Sequence, residues 1–224
     1  MAQVLMIATV GDEVDPVLIG VRDYPVRRLI LLYTKDKEER AREIQQQVQP
    51  LRIDVELREI DAADVLMDTL RQVSEIHAAE AMEFTDVLLN VSSGEKMQTC
   101  SALSAAFVNG IPAIGVDHDT PFALPVLKFS YTELISDAKF RVLQALDRLD
   151  GVAESLTDLS KASGVEKSLL SYHLRTTREG KGLEDMGLVA IDRGSFGRLT
   201  IQLTEMGKLL LVGRKETPLA APPV

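Results

Sequence analysis

Apolar runs alternate with amphipathic stretches over the first 120 residues. Four short, continuous apolar runs are typical of buried strands, and they cover residues 3–9, 28–34, 86–91 and 111–116. Residues 52–60 alternate apolar and charged side chains, which predicts a half-buried strand near a sheet edge. Stretches with the apolar spacing of a helix separate these runs. They predict one helix that Asp15 would cap and three more over residues 35–49, 62–84 and 96–109. This alternation predicts an α/β fold, a Rossmann-like parallel sheet covered by helices on both faces.

A different pattern follows. Residues 122–131 predict an added edge strand or hairpin, because Pro125 cannot lie in a central strand. Helices are predicted over 136–149, 155–163 and 166–178, strands over 189–192 and 199–203, and a last helix over 206–212. This order is typical of a winged helix-turn-helix. We therefore expect a sensor domain over 1–131, a winged helix over 136–215 and a flexible tail over 216–224.

The net charge of −9 is unevenly distributed. Residues 1–135 carry 12 Lys and Arg against 22 Asp and Glu, whereas residues 136–215 carry 13 against 11. An acidic body repels DNA at long range, so a DNA contact has to come from a basic face of the second part.

The cysteine count and the lengths of the apolar runs indicate the cellular location. Cys100 is its one cysteine, so an intrachain disulfide is excluded. No 18-residue apolar run is present, and the first residues resemble a strand rather than a signal peptide. We expect a cytoplasmic protein with no membrane partner.

Two predicted loops contain candidate binding residues. If the strand order is 3-2-1-4-5, the loops after the first and fourth strands meet where the winding direction reverses, which is where ligands bind in such sheets. The candidates are Thr9, Val10, Gly11 and Asp12 in one loop and Ser92, Ser93, Gly94, Glu95, Lys96 and Met97 in the other. A Ser-Ser-Gly turn before a helix is typical of a phosphate-binding or polar-ligand loop. Alternatively, Ser93 is only a helix cap, Gly94 only a turn residue and Lys96 only a solvated side chain.

Known nucleotide-binding motifs do not account for these loops. Neither loop fits G-x-G-x-x-G, and the chain has no P-loop, so dinucleotides and nucleoside triphosphates are disfavoured and no cofactor is predicted.

Residues 90–99 (NVSSGEKMQT) resemble the second signature of the CRISPR-associated Rossmann-fold (CARF) domains, and residues 9–12 (TVGD) resemble their first-strand loop. With a winged helix behind it, the chain resembles the archaeal regulators of this family. The resemblance implies a homodimer that binds a cyclic oligoadenylate, such as cyclic tetra-adenylate, across its two-fold axis. The chain has Ser-Gly-Glu-Lys where the fuller family form is Gly-Gly-Thr-Lys, so Glu95 joins Asp12 and Glu13 near the expected phosphates. These carboxylates could accept from adenine amino groups or ribose hydroxyls, or the ligand could be less anionic.

The second part is predicted to bind a double-stranded DNA operator. Residues expected to contact the major groove or its phosphates are Lys167, Ser168, Ser171, Tyr172 and Arg175, with Arg193 and Arg198 at the wing tip. The alternative is a winged helix that serves dimerisation or protein contacts.

Catalytic chemistry is weakly indicated. His77 is interpreted as a boundary residue, His118 as a loop residue, His173 as a packing or DNA-contact residue, and Cys100 as part of a buried helix face. No catalytic triad or metal-ligand spacing is present, so no catalytic or metal site is predicted. The sequence therefore predicts a ligand-responsive transcriptional regulator. A ring nuclease using Ser93 and Lys96 is the second hypothesis, and a regulator sensing another metabolite is the third.

Overall fold

The structure is a computed structural model that describes residues 3–80, 83–126, 135–175, 181–193 and 199–213. The chain divides into two compact units, Met1–Tyr131 and Thr132–Val224. No helix in the described parts of the chain is both long and apolar enough to cross a bilayer. The predicted tail over 216–224 lies outside the described residues.

The first unit is built on a six-stranded sheet. Its strands are β1 (Val4–Thr9), β2 (Val26–Thr34), β3 (Asp54–Ile60), β4 (Asp86–Asn90), β5 (Ala113–Asp117) and β6 (Thr120–Leu124). The strand order is β3-β2-β1-β4-β5-β6. The first five strands are parallel, and β6 is antiparallel to β5. The predicted order is thus confirmed, with β1 and β4 adjacent.

Burial follows the sequence pattern. All six residues of β1 are buried, as expected for a strand covered on both faces. In β3 only Ile60 is fully buried, which matches its alternating pattern and its place at the sheet edge.

Among the described residues, four α-helices connect the parallel strands: α1 (Asp15–Asp23), α2 (Glu38–Val48), α3 (Val65–Glu80) and α4 (Lys96–Asn109). The predicted cap at Asp15 is wrong. Val14 occupies the N-cap position of α1, and Asp15 lies in the first turn, where its charge favours the helix dipole.

The second prediction to be corrected concerns the face that α4 buries. Its buried face carries small and polar residues, including Ala102, Ala105 and Ala106. Small side chains allow α3 and α4 to pack closely, and the two helices are joined by a hydrogen bond of 2.9 Å from Asn109 Nδ2 to Ser74 Oγ. Other apolar residues of α4 lie on its exposed side: Cys100 is exposed, Met97 is 57% exposed and Phe107 is 42% exposed.

A hairpin ends the sheet. His118 and Asp119 form the turn between β5 and β6 with φ of 45° and 64°. The predicted edge element is therefore present as β6, although it starts and ends earlier than expected. Residues 127–131 of that prediction lie outside the described residues.

The described residues of the second unit form four α-helices and three strands. In chain order they are α5 (Asp137–Asp147), β7 (Val152–Ala153), α6 (Leu156–Ser163), α7 (Lys167–Leu174), β8 (Val189–Arg193), β9 (Leu199–Leu203) and α8 (Glu205–Gly213). The strands form an antiparallel sheet in the order β7-β9-β8. Two serines cap the helices as side-chain acceptors, Ser136 for α5 and Ser155 for α6. The two-residue strand β7 was not predicted.

His173 lies in the core of this unit. It is 7% exposed, and neither ring nitrogen has a hydrogen-bond partner among the described residues. Burial lowers the pKa of His173, and the positive charges of Lys139 and Arg141 lower it further. The ring therefore packs as a neutral group, in agreement with the packing interpretation.

Candidate functional site

The loops after β1 and β4 touch at the carboxyl edge of the sheet. Thr9 Oγ1 donates a hydrogen bond to the backbone carbonyl of Ser93. The hydroxyl of Ser93 accepts from the Gly11 N–H at 2.9 Å and donates to the Glu13 carbonyl at 2.5 Å. These bonds join residues 80 to 84 positions apart in the chain, so the structure brings the two predicted loops together.

Two glycines allow this contact. A Cβ atom on Gly11 would lie 2.5 Å from the backbone nitrogen of Gly94. Gly94 itself has a φ of +120°, and a Cβ there would lie 2.9 Å from Thr9 Cβ. At Gly11 and Gly94 the two loops therefore approach each other main chain to main chain. The part of the carboxyl edge that these two loops border is called the crevice below.

Asn90, the last residue of β4, holds the second loop in place. Its Oδ1 accepts from the Ser92 N–H at 3.0 Å and from the Ser92 hydroxyl at 2.5 Å. Its Nδ2 donates to the Pro16 carbonyl at 3.1 Å. The side chain is fully buried. It thus connects the loop after β4 to the start of α1, a role that the sequence analysis did not identify.

The amino end of α4 opens at the same place. Glu95 is the N-cap residue, but its side chain makes no capping hydrogen bond. The first N–H groups of a helix have no partner within the helix, and with the helix dipole they favour an anion. Ser93 is not the cap, which removes the interpretation that its role is only to start the helix.

Side chains at the rim are mostly charged and exposed. Asp12, Glu13, Glu95 and Lys96 are all exposed, as is Met97. Lys96 makes no ion pair or hydrogen bond with any other described side chain, so its ammonium group is available to a ligand. Val10, by contrast, is fully buried and belongs to the core beneath the loop rather than to its exposed rim.

A third loop, after β2, contributes a residue that the sequence analysis missed. Lys37 Nζ lies 2.8 Å from Asp12 Oδ1, 3.2 Å from Asp36 Oδ2 and 3.6 Å from Glu95 Oε1. Hydrogen bonds to Asp12 and Asp36 raise the pKa of Lys37 above its ordinary value. The only sequence signal for this residue is that β2 precedes it and lies beside β1.

The predicted DNA-contact residues of α7 lie on its outer face. Lys167, Ser168 and Tyr172 are exposed, Ser171 is half-buried, and Arg175 is exposed at the C-cap. Leu170 and Leu174 point into the core instead.

The two arginines that were predicted at a wing tip have different outcomes. Arg193 Nη2 is 3.2 Å from Glu184 Oε2, so this arginine has a carboxylate partner. Arg198 lies outside the described residues.

The remaining candidates for chemistry do not assemble into a site. The His118 side chain is 96% exposed in the hairpin turn, and Nε2 is 3.6 Å from Asp117 Oδ1. Burial lowers the pKa of His77 in α3, as expected for a boundary residue. Within the described residues, no group of three or more His, Cys, Asp or Glu could hold a metal ion. The prediction that Cys100 is a core residue is wrong, because its helix buries the opposite face.

Solved structures align with the chain at low sequence identity. Protein VC1899 from Vibrio cholerae aligns with a TM-score of 0.50 and 11% identity over 94% of this chain and 66% of its own. Can2 from Sulfobacillus thermosulfidooxidans, in complex with cyclic tetra-adenylate, aligns with a TM-score of 0.45 and 17% identity over 94% of this chain and 63% of its own. The chain thus spans less than two thirds of either protein. The likeness to protein VC1899 concerns the fold alone.

Sequence comparison gives the family. No curated protein matches the chain. Residues 4–117, just over half of the chain, run from the start of β1 to the end of β5 and match the family model described as HFX_2341_N:-like, N-terminal. The chain therefore belongs to the HFX_2341_N:-like, N-terminal family.

Proposed function

We propose that the first unit is a CARF-type sensor that binds a cyclic oligoadenylate or a similar nucleotide, and that the second unit is a winged helix that binds operator DNA. The observation that carries the proposal is the contact between the loops after β1 and β4, through Thr9, Gly11 and Ser93. These are the two segments that resemble the CARF signatures, and they meet at the switch point of the sheet, where such folds bind ligands.

The chemistry of the crevice suits a nucleotide with both phosphates and polar edges. The amino end of α4 and the ammonium group of Lys96 favour an anion. The carboxylates of Asp12 and Glu95 accept hydrogen bonds, which the amino groups of adenine and the hydroxyls of ribose donate. A ligand of repeated adenylate units presents both kinds of group.

The exposed face of α4 supports a homodimer. Met97, Cys100 and Phe107 recur at helical spacing on one side of the helix whose amino end forms the crevice. Pairing this face with the same face of a second copy would bury apolar surface and present each crevice loop twice. A cyclic oligoadenylate has the matching two-fold symmetry.

The order of elements in the second unit supports a DNA-binding role. Helices α6 and α7 are joined by a short turn at Gly164, and β8 and β9 follow as the two strands of a wing. The outer face of α7 offers Lys167, Tyr172 and Arg175 to a groove. A dimer would read a near-palindromic operator with half-sites about one helical turn apart. A ligand coupling of about 1–3 kcal/mol would change operator affinity about 5- to 150-fold.

Ring nuclease activity is the second candidate, with Ser93 and Lys96 as the groups involved. The hydroxyl of Ser93 already bonds to Gly11 and Glu13, which leaves Lys96 as the free group of the pair. Sensing without cleavage is therefore the better-supported function.

One experiment separates these functions. The full chain is titrated with cyclic tetra-adenylate, and both the melting temperature and the integrity of the ligand are followed. We expect the melting temperature to rise with ligand concentration while the ligand stays intact, because binding stabilises the folded state by mass action. Linear products would establish the nuclease, and no effect of either kind would point to another metabolite.

Two variants locate the binding. Lys96→Ala should weaken binding about tenfold, because it removes one charged contact. Arg27→Ala is the matched control, since Arg27 is an exposed cation at the start of β2, on the opposite edge of the sheet. Equal affinities of the two variants would remove Lys96 from the site.

A further inference from the structure

Beside the crevice, the ammonium group of Lys37 lies among several carboxylates. Lys37 contacts Asp12 from the loop after β1 and Glu95 from the loop after β4, and it also contacts its neighbour Asp36. Three loops that follow three adjacent strands, β2, β1 and β4, therefore meet at this single nitrogen.

The Lys37 side chain is much less exposed to solvent than the carboxylates that it contacts. The Lys37 side chain is 13% exposed, whereas Asp12 is 83% exposed and Glu95 is 67% exposed. The Lys37 side chain is thus largely shielded from solvent, and its ammonium group contacts carboxylates of both loops. Without it, Asp12 and Glu95 would be two like charges that have lost the ammonium group both of them contact.

From this arrangement we infer that Lys37 is a positioning residue of the crevice: its ammonium group holds the loops after β1 and β4 together and offsets the negative charge that would repel an anionic ligand. The part that concerns the loops depends only on the contacts described. The part that concerns an anion rests on the proposed function. It limits the class of ligand to a phosphodiester whose phosphates reach Lys37 in place of the carboxylates.

The loop part is tested without ligand. Amide hydrogen exchange is measured over residues 9–14 and 91–98 in the wild-type chain and in Lys37→Gln, Lys37→Arg and Lys35→Gln. Lys35 is the matched control because it is exposed in the same short turn. Exposed ion pairs are weak, so the expected increase in exchange rate in Lys37→Gln is about two- to fivefold in both segments. Lys37→Arg should restore protection and Lys35→Gln should not change it. Unchanged exchange in Lys37→Gln would overturn the inference.

The anion part is tested with cyclic tetra-adenylate as the probe. Lys37→Gln should bind about tenfold more weakly at low salt, because the change leaves two carboxylates without a counter-charge. The deficit should shrink at high salt, where screening weakens the repulsion, and Lys37→Arg should recover most of the affinity. A deficit that is independent of salt and is not recovered by arginine would refute the electrostatic role.

The two parts fail separately. If the wild-type chain binds no cyclic tetra-adenylate, the proposed ligand is wrong and the anion part is overturned with it. The hydrogen-exchange result would still decide whether Lys37 holds the loops.

Discussion

Replacement of Gly11 by alanine tests whether the crevice has the packing described above. The added Cβ would lie 2.5 Å from Gly94 N and 2.8 Å from Gly94 Cα. Real Cβ atoms essentially never come this close to another heavy atom. Both obstructing atoms are main chain, so the strain cannot be relieved by rotating a side chain.

The size of the effect follows from that geometry. Inserting a methyl group into a packed site costs about 1–3 kcal/mol when its neighbours cannot move freely. In a unit of 131 residues this corresponds to a fall of about 3–15 °C in the melting temperature. The bonds from Thr9 and Gly11 to Ser93 should loosen at the same time, because the loops have to separate to admit the new atom.

Gly115→Ala is the matched control in the same unit. Its Cβ would also meet an atom at 2.5 Å, but that atom is the ring tip of Phe122, which is 47% exposed on the edge strand and can turn away. Scanning calorimetry of the full chain compares the two variants, and hydrogen exchange over β1 assigns the change to the first unit. If Gly11→Ala melts within about 1 °C of the wild type, or if Gly115→Ala loses as much stability, the loops do not pack as described.

Three further predictions concern other parts of the chain. Because the pKa of His173 is lowered in the folded state, its contribution to the stability of the second unit is fully present above the ordinary pKa of 6.5 and is lost as the pH falls through the lowered value. Urea titrations of His173→Leu at several pH values should show this acid-induced loss of stability reduced by at most about 1.4 kcal/mol per pH unit. A loss as steep as that of the wild type would contradict the assignment. Arg175→Ala should weaken binding to operator DNA about tenfold in a gel-shift assay without changing ligand affinity, whereas Arg148→Ala, a cation at the end of α5, should bind as the wild type does. Phe107→Glu should convert the proposed dimer to monomer in light scattering and abolish cross-linking through Cys100; a variant that remains dimeric would place the interface elsewhere.

Much of the first unit could be predicted because its strands differ in pattern. The continuous apolar run of β1 and the alternating run of β3 identify a central and an edge strand, and the order of helices and strands then restricts the topology. Adjacent parallel strands end at the same edge, so the meeting of the two loops followed from the strand order.

Other features depend on information that periodicity does not carry. Helix α4 has two faces with helical spacing, one with small residues such as Ala102 and Ala105 and one with Met97 and Phe107. Hydrophobicity alone favoured the larger residues as core, whereas close packing against α3 selected the small ones. The role of Lys37 was hidden for a different reason, since its partners lie 25 and 58 positions away and become neighbours only when three loops converge.

The close main-chain contact between Gly11 and Gly94 has a consequence for how binding preference changes among related chains. Gly11 is buried and its N–H is already bonded to Ser93, so this contact fixes the loops and cannot by itself tell one ligand from another. Discrimination falls to the solvent-facing positions 12, 95 and 96, which are exposed and can be exchanged at small cost to folding. Swapping those three positions between relatives should therefore transfer ligand preference while leaving the scaffold intact.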